Sequence, residues 1–298
     1  MNARTPLCKI CQSPAEEIGR KQSKIDLREF TLFHCPRCQF SFVGNPCQDF
    51  SSVYSEAYYL GKGVDPLVDY VYELEHINET IRVYEWKGIL DVILSIYPVP
   101  LTSDVRWLDY GCGNGGLVRY VRSSIACDIT GYDEGWIVEK AIDSGIPITR
   151  NKESLYSAPK FDIITAIEVL EHVEDPINVL REIRSLMKPG GLFFFTTGNA
   201  MPYRKNLLNW AYFLPDVHIS LFESKTMEIA LEKAGFRCQF LEPLPSGWIE
   251  IIRFKILKNL GLHRKNPIEK LIPWRWVSLL VNRFMQIAVY PVGWVARD

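Results

Sequence analysis

Short apolar runs alternate with longer amphipathic stretches through the middle of the chain. Residues 105–109, 129–132, 146–149, 161–166 and 192–197 read as strands, and 176–187 and 224–234 read as helices. That alternation predicts an α/β fold: a mainly parallel sheet with helices on both faces. Residues 65–95 read as one helix, because Val68, Val71, Tyr72, Leu74, Ile77, Ile81, Tyr84 and Ile89 recur at helical steps. Tyr97-Pro-Val-Pro100 stops it. Nearer the N-terminus, 30–34 and 39–43 alternate like strands. At the other end, 248–262 and 274–290 mix large apolar side chains with cations in helical style.

The first strand runs into Asp109-Tyr-Gly-Cys-Gly-Asn-Gly-Gly116. Gly111, Gly113, Gly115 and Gly116 permit a sharp turn and a close ligand approach, and a helix starts directly after them. Gly111, Gly113 and Gly116 also satisfy the dinucleotide spacing, which is weak evidence alone. Asp109 argues against a pyrophosphate, since like charges at that range repel. A ligand with an ammonium group and no phosphate suits it better, and S-adenosylmethionine (SAM) is such a ligand. Its ribose diol needs an acceptor after the next strand, where Gly131-Tyr-Asp133 supplies Asp133.

Four stretches in order carry a resemblance to the class I SAM-dependent methyltransferases. They are Leu108-Asp-Tyr-Gly-Cys-Gly-Asn-Gly115, Gly131-Tyr-Asp133, the run from Phe161 to Pro176, and Leu186-Met-Lys-Pro-Gly-Gly-Leu192. The resemblance implies a Rossmann-like SAM-binding fold, with Asp109, Gly111, Cys112, Gly113, Asn114, Gly115, Asp133 and Glu168 around the cofactor. It also implies a final pair of antiparallel strands, 236–241 and 292–296. Lys188-Pro-Gly-Gly191 reads as the turn that ends the 176–187 helix.

Cys8-Lys-Ile-Cys11 and Cys35-Pro-Arg-Cys38 form two C-x2-C pairs, which predict a structural zinc site in a ribbon. A closed four-thiolate site leaves no open position for catalysis. Cys47, Cys112, Cys127 and Cys238 have no such spacing. Similar ribbons precede the catalytic domain in sugar C-methyltransferases, and Val53-Tyr-Ser-Glu-Ala-Tyr-Tyr59 resembles a segment of that group. The ribbon then serves either as a substrate-side lid or as a stabiliser packed on the catalytic domain. That group usually carries a further C-terminal domain, which a chain of this length is not expected to hold.

An oxygen nucleophile needs a general base. Glu171, His172 and His218 are the catalytic candidates, with Glu168 beside them. The spacing of Glu168-Val-Leu-Glu-His172 would gather three ligand-type side chains on one helical face. The same E-x-x-E-H run resembles the ubiquinone O-methyltransferases, where it is associated with a divalent metal, so Mg2+ is an additional candidate. The alternative is a polar helix start whose histidine fixes the loop. Residues 201–212, with Asn206, Asn209, Trp210 and Tyr212, are expected to line the acceptor side, and Tyr54, Tyr58 and Tyr59 to line a lid or to pack.

Charge modifies this picture at one end only. Net charge is −1, yet 251–298 holds nine Lys/Arg against Glu269 and Asp298, a balance of +7 that leaves −8 for the rest. An acidic body argues against nucleic acid as partner. The basic tail suits either an amphipathic helix on an anionic bilayer, through 248–290, or a cover for the core or a homodimer contact. Arg283 and Pro291 argue against a membrane span. No apolar leader opens the chain, and the unpaired thiols fit a reducing compartment, so the expected location is cytoplasmic, including the inner face of the membrane.

The expected organisation is a zinc ribbon (1–50), a helical lid or linker (51–100), a SAM-binding catalytic domain (101–243) and a basic apolar helical segment (244–298). The expected function is methyl transfer from SAM to a small molecule or glycan, such as a sugar nucleotide or surface-polysaccharide precursor. One alternative is an O-methyltransferase of a lipophilic quinone- or polyketide-like acceptor. Another is a zinc-ribbon protein that binds SAM without catalysis.

Overall fold

The computed structural model describes residues 6–65, 69–240, 247–285 and 294–297. Five parallel strands form its centre: β4 (Arg106–Tyr110), β5 (Asp128–Tyr132), β6 (Ile148–Thr149), β7 (Phe161–Ile167) and β8 (Met187–Thr196). Two further strands extend the sheet, β10 (Arg237–Phe240) and β11 (Trp294–Arg297), giving the order β10-β11-β8-β7-β4-β5-β6. Only β11 runs against its neighbours; it pairs antiparallel with both β8 and β10. The two expected final strands are therefore antiparallel to each other, and β10 runs with the central five. Residues 241, 292 and 293 of those expected strands lie outside the described residues.

Both faces of the sheet are buried, which is why its strands read as nearly continuous apolar runs. On one face Trp107, Ile163 and Phe194 meet the helices Arg82–Ile96, Gly116–Ser124 and Trp248–Asn259. On the other, Leu108, Ile164, Phe193 and Phe195 meet Pro176–Leu186 and Ser224–Ala234. Those last two helices have clear start signals. Asp175 accepts the N–H of Asn178 ahead of Pro176, and Glu223 forms a capping box with Thr226.

The ribbon is not a separate bead. Its strands β1 (Glu16–Gln22), β2 (Glu29–His34) and β3 (Ser41–Val43) form an antiparallel sheet. The fourth strand of that sheet, β9 (Ser220–Leu221), comes from the stretch between β8 and the Ser224–Ala234 helix. Ile10, Phe40 and Phe42 join the same apolar cluster as Phe222, Met227 and Leu231. Phe30, Leu32 and Val43 pack with Leu207, Trp210, Phe213 and Ile219.

Three sequence expectations change. The 65–95 helix is two helices, Tyr70–Glu75 and Arg82–Ile96. Between them Lys265 N–H bonds Glu79 O at 2.8 Å and Ile81 N–H bonds His263 O at 3.1 Å, so tertiary pairing displaces the helical turn. Lys188-Pro-Gly-Gly191 lies within the start of β8, with Gly190 at φ 74°, rather than as a free turn between the Pro176–Leu186 helix and the strand. Glu168 and Glu171 do not share a helical face: Glu168 sits at φ 56° after β7, and only Leu170–His172 form a single 3-10 turn. Left-handed Glu168 stands outside that turn, so its side chain cannot share a helical face with Glu171.

The Trp248–Asn259 helix turns Trp248, Ile251, Ile252, Phe254 and Leu257 inward. It crosses Arg82–Ile96 at two glycines: a Cβ on Gly88 would lie 2.6 Å from Gly247 O, and one on Gly247 would lie 2.5 Å from Gly88 O. In the helix Trp274–Met285, Trp274 faces inward, its indole N–H bonding Glu269 O at 2.9 Å. Trp276 and Leu280 are exposed, as are Ile268 and Leu271 just before it. Residues 286–290 of the expected 274–290 helix lie outside the described residues. No described helix is long and apolar enough to cross a membrane.

Candidate active site

The glycine turn folds over the end of β5. Gly111 and Cys112 both donate to Tyr132 O, at 2.7 and 3.1 Å. Gly111 has φ 75°, and a Cβ there would meet Val169 at 2.6 Å, so both backbone shape and space demand glycine. Asp133 closes the turn: its Oδ2 accepts Gly113 N–H at 2.9 Å and its Oδ1 accepts Gly135 N–H at 2.7 Å. Asn114, just ahead of the next helix, accepts Gly116 N–H at 3.0 Å, and its amide reaches Tyr70 O and Glu73. Cys112 is half-buried, and desolvation pushes its thiol pKa well up; Gly115 holds φ 69° at the helix start.

Two cavities open at this rim. The larger, about 750 Å³, is lined by Tyr59, Tyr70, Asp133 and Trp136 at one end. At its other end stand Tyr54, Tyr58, Glu168, Val169 and His172. The smaller, about 50 Å³, is lined by Asp109, Gly111, Gly113 and Asn114 together with Glu73, Arg82 and Glu85. Asp109 accepts from Thr165 Oγ1 at 2.7 Å, and that oxygen in turn accepts from Trp107 Nε1 at 3.0 Å. Burial raises the Asp109 carboxyl to about 7, against the opposing pull of Thr165.

At the far end of the larger cavity, the phenol of Tyr212 lies between Glu168 and Glu171, 3.0 Å from Glu168 Oε2 and in closer contact with Glu171 Oε1. Thr197 Oγ1 donates to the other Glu171 oxygen at 2.8 Å. Burial and the neighbouring Glu168 charge raise Glu171 to about 8. Burial acts on Glu168 too, but the Lys255 ammonium and the hydroxyls of Thr196 and Tyr212 outweigh it and bring its pKa down to about 2. One carboxyl is thus neutral and its neighbour charged, the separation expected of an acid–base pair.

His172 and His218 stand edge to face, ring centres 4.9 Å apart, and His218 stacks on Tyr212 at 4.3 Å. His172 Nδ1 faces Val217 O at 3.0 Å and the Tyr54 hydroxyl at 2.8 Å; His218 Nδ1 faces Tyr212 O. With Nδ1–H donated to a carbonyl, Nε2 of each ring is left as acceptor or ligand atom. Burial and His218 together depress His172 to about 3, and burial depresses His218. Both rings are neutral near pH 7. On this comparison Glu171, not His172, has the pKa suited to proton transfer near neutrality. Of the three catalytic candidates only His172 lines the larger cavity; Glu171 and His218 stand behind it. The 201–212 segment does not line that cavity as expected. Its Leu207 and Trp210 pack on ribbon strands, and Tyr212 acts through Glu168 and Glu171.

Two groups in the described residues have metal-ligand chemistry. The sulfurs of Cys8, Cys11, Cys35 and Cys38 all lie within 4.8 Å of one another, with Cys8–Cys38 and Cys11–Cys35 each at 3.4 Å. Tetrahedral zinc–thiolate bonds would place the sulfurs about 3.8 Å apart, so this donor set fits Zn2+. The four are free thiols, and backbone N–H groups of Ile10 and Cys11 point at Cys8 Sγ. Glu171, His172 and His218 form the second group, again within 4.8 Å. Glu168 is outside it.

Sequence reasoning missed Glu73, Arg82, Glu85 and Lys255, charged residues buried beside the smaller cavity and behind Glu168. No local motif marks them as a group, because they reach the site from three separate helices, Arg82 and Glu85 sharing one.

A glycine turn bound by an acid after the next strand, over a sheet of this order, defines a SAM-dependent methyltransferase fold. Residues 77–239 match the family described as a methyltransferase domain, and the chain belongs to that family. It is 31% identical over 176 residues to the ubiquinone biosynthesis O-methyltransferase of Colwellia psychrerythraea, covering 55% of this chain and 66% of that protein. The Photorhabdus laumondii protein of the same description is 30% identical over 174 residues, covering 54% of this chain and again 66% of the relative. The chain therefore spans about two thirds of the length of these relatives. Among solved structures it is similar to the plantazolicin methyltransferase BamL in complex with an analog and SAH. That likeness has TM-score 0.51 and 16% identity, over 81% of this chain and 93% of the other.

Proposed function

We propose that this chain transfers a methyl group from SAM to a hydroxyl oxygen of a ring-bearing small molecule. One observation carries the reading: the donor atoms of Glu171, His172 and His218 lie within 4.8 Å of one another, and His172 stands at the end of the large cavity. An oxygen nucleophile must lose a proton on transfer, and such a cluster can accept it. The names of the relatives favour the same reaction type.

SAM supplies an already activated methyl group when bound, and the residues fit it. Asp109 and Arg82, both lining the small cavity, would meet the ammonium and carboxylate of the methionine end. Asp133, between Tyr59 and Trp136, would take the ribose diol. The glycine turn, Cys112, Asn114 and Gly115 give shape to that end. Tyr54, Tyr58 and Tyr59 exclude water and align the acceptor. Proton removal falls to neutral His172, which lines the cavity, with Glu171 behind it to take the proton on when ionised; His172 Nε2 and Glu171 Oε1 are 4.0 Å apart. A divalent cation such as Mg2+ on Glu171, His172 and His218 would lower the acceptor hydroxyl's pKa and orient a diol. Zinc on the four cysteines would be structural.

We retain the division into ribbon (1–50), lid (51–100), catalytic domain (101–243) and C-terminal segment (244–298) as a functional one. No residue of the ribbon lines the large cavity among the described residues, which favours the stabiliser role and weakens the glycan reading drawn from it. A sugar nucleotide or polysaccharide precursor is thus the second reading. Contact with an anionic bilayer falls to exposed Ile268, Leu271, Trp276 and Leu280, beside Lys270 and Arg275, and not to the inward-facing 248–259 helix. The test is labelled methyl transfer from SAM to a polyprenylated catechol and, in parallel, to nucleotide sugars. Label on the catechol oxygen supports the proposal. Label only on sugar overturns it in favour of the second reading, and SAM binding without label on any host fraction favours a non-catalytic binder.

A further inference from the structure

We propose that the Trp248–Asn259 helix completes the site and that Lys255 is a positioning residue joining the acceptor end to the methionine end. This rests on the SAM site proposed above, but it concerns a residue beyond the matched segment 77–239.

Lys255 is 9% exposed, and its Nζ lies 3.2 Å from Glu85 Oε1 and 3.4 Å from Glu168 Oε1. Each partner faces one cavity: Glu168 lines the larger, Glu85 the smaller. From Glu168 the ammonium side is shared with Thr196 Oγ1, 2.9 Å from the same Oε1. From Glu85 the network continues without a break. Arg82 donates to Glu85 at 2.7 Å and to Glu73 at 3.0 Å, and Glu73 accepts the Asn114 amide at 3.2 Å. Asn114 is in the glycine turn. A connected path therefore runs from the left-handed residue after β7 to the cofactor turn, and among the described residues Lys255 links the two carboxylates that face different cavities.

Stability alone is a poor reason for that lysine. Burying an ammonium between carboxylates is on balance no more stable than apolar packing of the same volume, and the other buried residues of this helix, Trp248, Ile251, Ile252, Phe254 and Leu257, are all apolar. The neighbouring Lys258 is engaged elsewhere, 3.8 Å from Asp65. What Lys255 does is fix where Glu168 sits. Because Glu168 starts the reversal that carries Val169, Glu171 and His172, its displacement moves the cavity wall.

The experiment is calorimetric titration of SAH into the full chain and its Lys255→Met, Glu168→Gln and doubly substituted variants. Lys255→Met leaves two buried carboxylates short of a cation and should weaken SAH binding about tenfold or more. Adding Glu168→Gln removes the stranded charge and should restore most of that loss, a non-additive cycle. Wild-type affinity in Lys255→Met, or additive losses in the double variant, would overturn the inference. If Lys255→Met does not fold, the double variant decides: folded and binding supports it, unfolded or equally weak sinks it. A native chain that fails to bind SAH would defeat the SAM site itself, a distinct result.

Discussion

Ile219 donates its backbone N–H to the carbonyl of Glu171 at 2.8 Å, while its own carbonyl accepts from Val43 of the ribbon at 2.9 Å. One residue thus ties strand β3 to the candidate acid–base cluster. Thr226 adds a second tie, its hydroxyl bonding Cys38 O at 2.7 Å. Stripping metal from the ribbon, or Cys35→Ser, is therefore expected to loosen His218 as well as the N-terminal sheet. Metal analysis should find one zinc per chain in the native protein. Hydrogen exchange should then show the Ile219 amide losing protection when the metal is removed; an amide unchanged in a metal-free chain would break the connection.

Asp133→Ala should weaken SAM binding by about 2 kcal/mol, roughly thirtyfold in Kd. The variant loses the proposed ribose acceptor and also orphans the N–H groups of Gly113 and Gly135. Isothermal titration measures it directly, and an unchanged Kd would move the ribose elsewhere.

Arg82 is held between two buried carboxylates, so Arg82→Ala should cost about 3–5 kcal/mol of stability as well as cofactor affinity. The urea midpoint reports the first quantity. A midpoint within experimental scatter of wild type would mean Glu73 and Glu85 find other partners.

Asp109 gives a pH signature. Its folded pKa, about 7, lies above the ordinary 3.8, so the neutral form adds stability below about pH 4 that is lost as pH rises through 7. Binding an ammonium demands the charged form and releases a proton below that value. SAM affinity should therefore climb between pH 5 and 7, by up to about tenfold per unit, and level off above. Titrations at pH 6 in buffers of different ionisation heat will show the proton leaving. Asp109→Asn should bind weakly at every pH, without the slope.

Much of this was legible because it was local. The glycine turn, Asp133 and the paired cysteines each sit in a few consecutive residues whose chemistry and spacing restrict one another, and the apolar runs announced the central strands. The E-x-x-E-H run was read with the wrong geometry, since spacing cannot reveal that Glu168 takes φ 56°. Tyr212 looked like cavity lining and instead bonds two carboxylates. Arg82 and Lys255 carried no mark at all: the buried network assembles residues from positions 73 to 255, and only the packing of three helices brings them together.

Strand β11 has a consequence for how the protein is made. Among the described strands β10 pairs with β11 alone, and β8 has β11 on its outer side. During synthesis both strands must wait for residues 294–297 to leave the ribosome, each showing an unpaired edge able to recruit another chain. The sheet closes only when residues 294–297 slot between segments finished some sixty and a hundred residues earlier. A chain that stops before residue 294 would keep its glycine turn but leave its sheet open, a substrate for chaperones or proteases rather than a smaller enzyme.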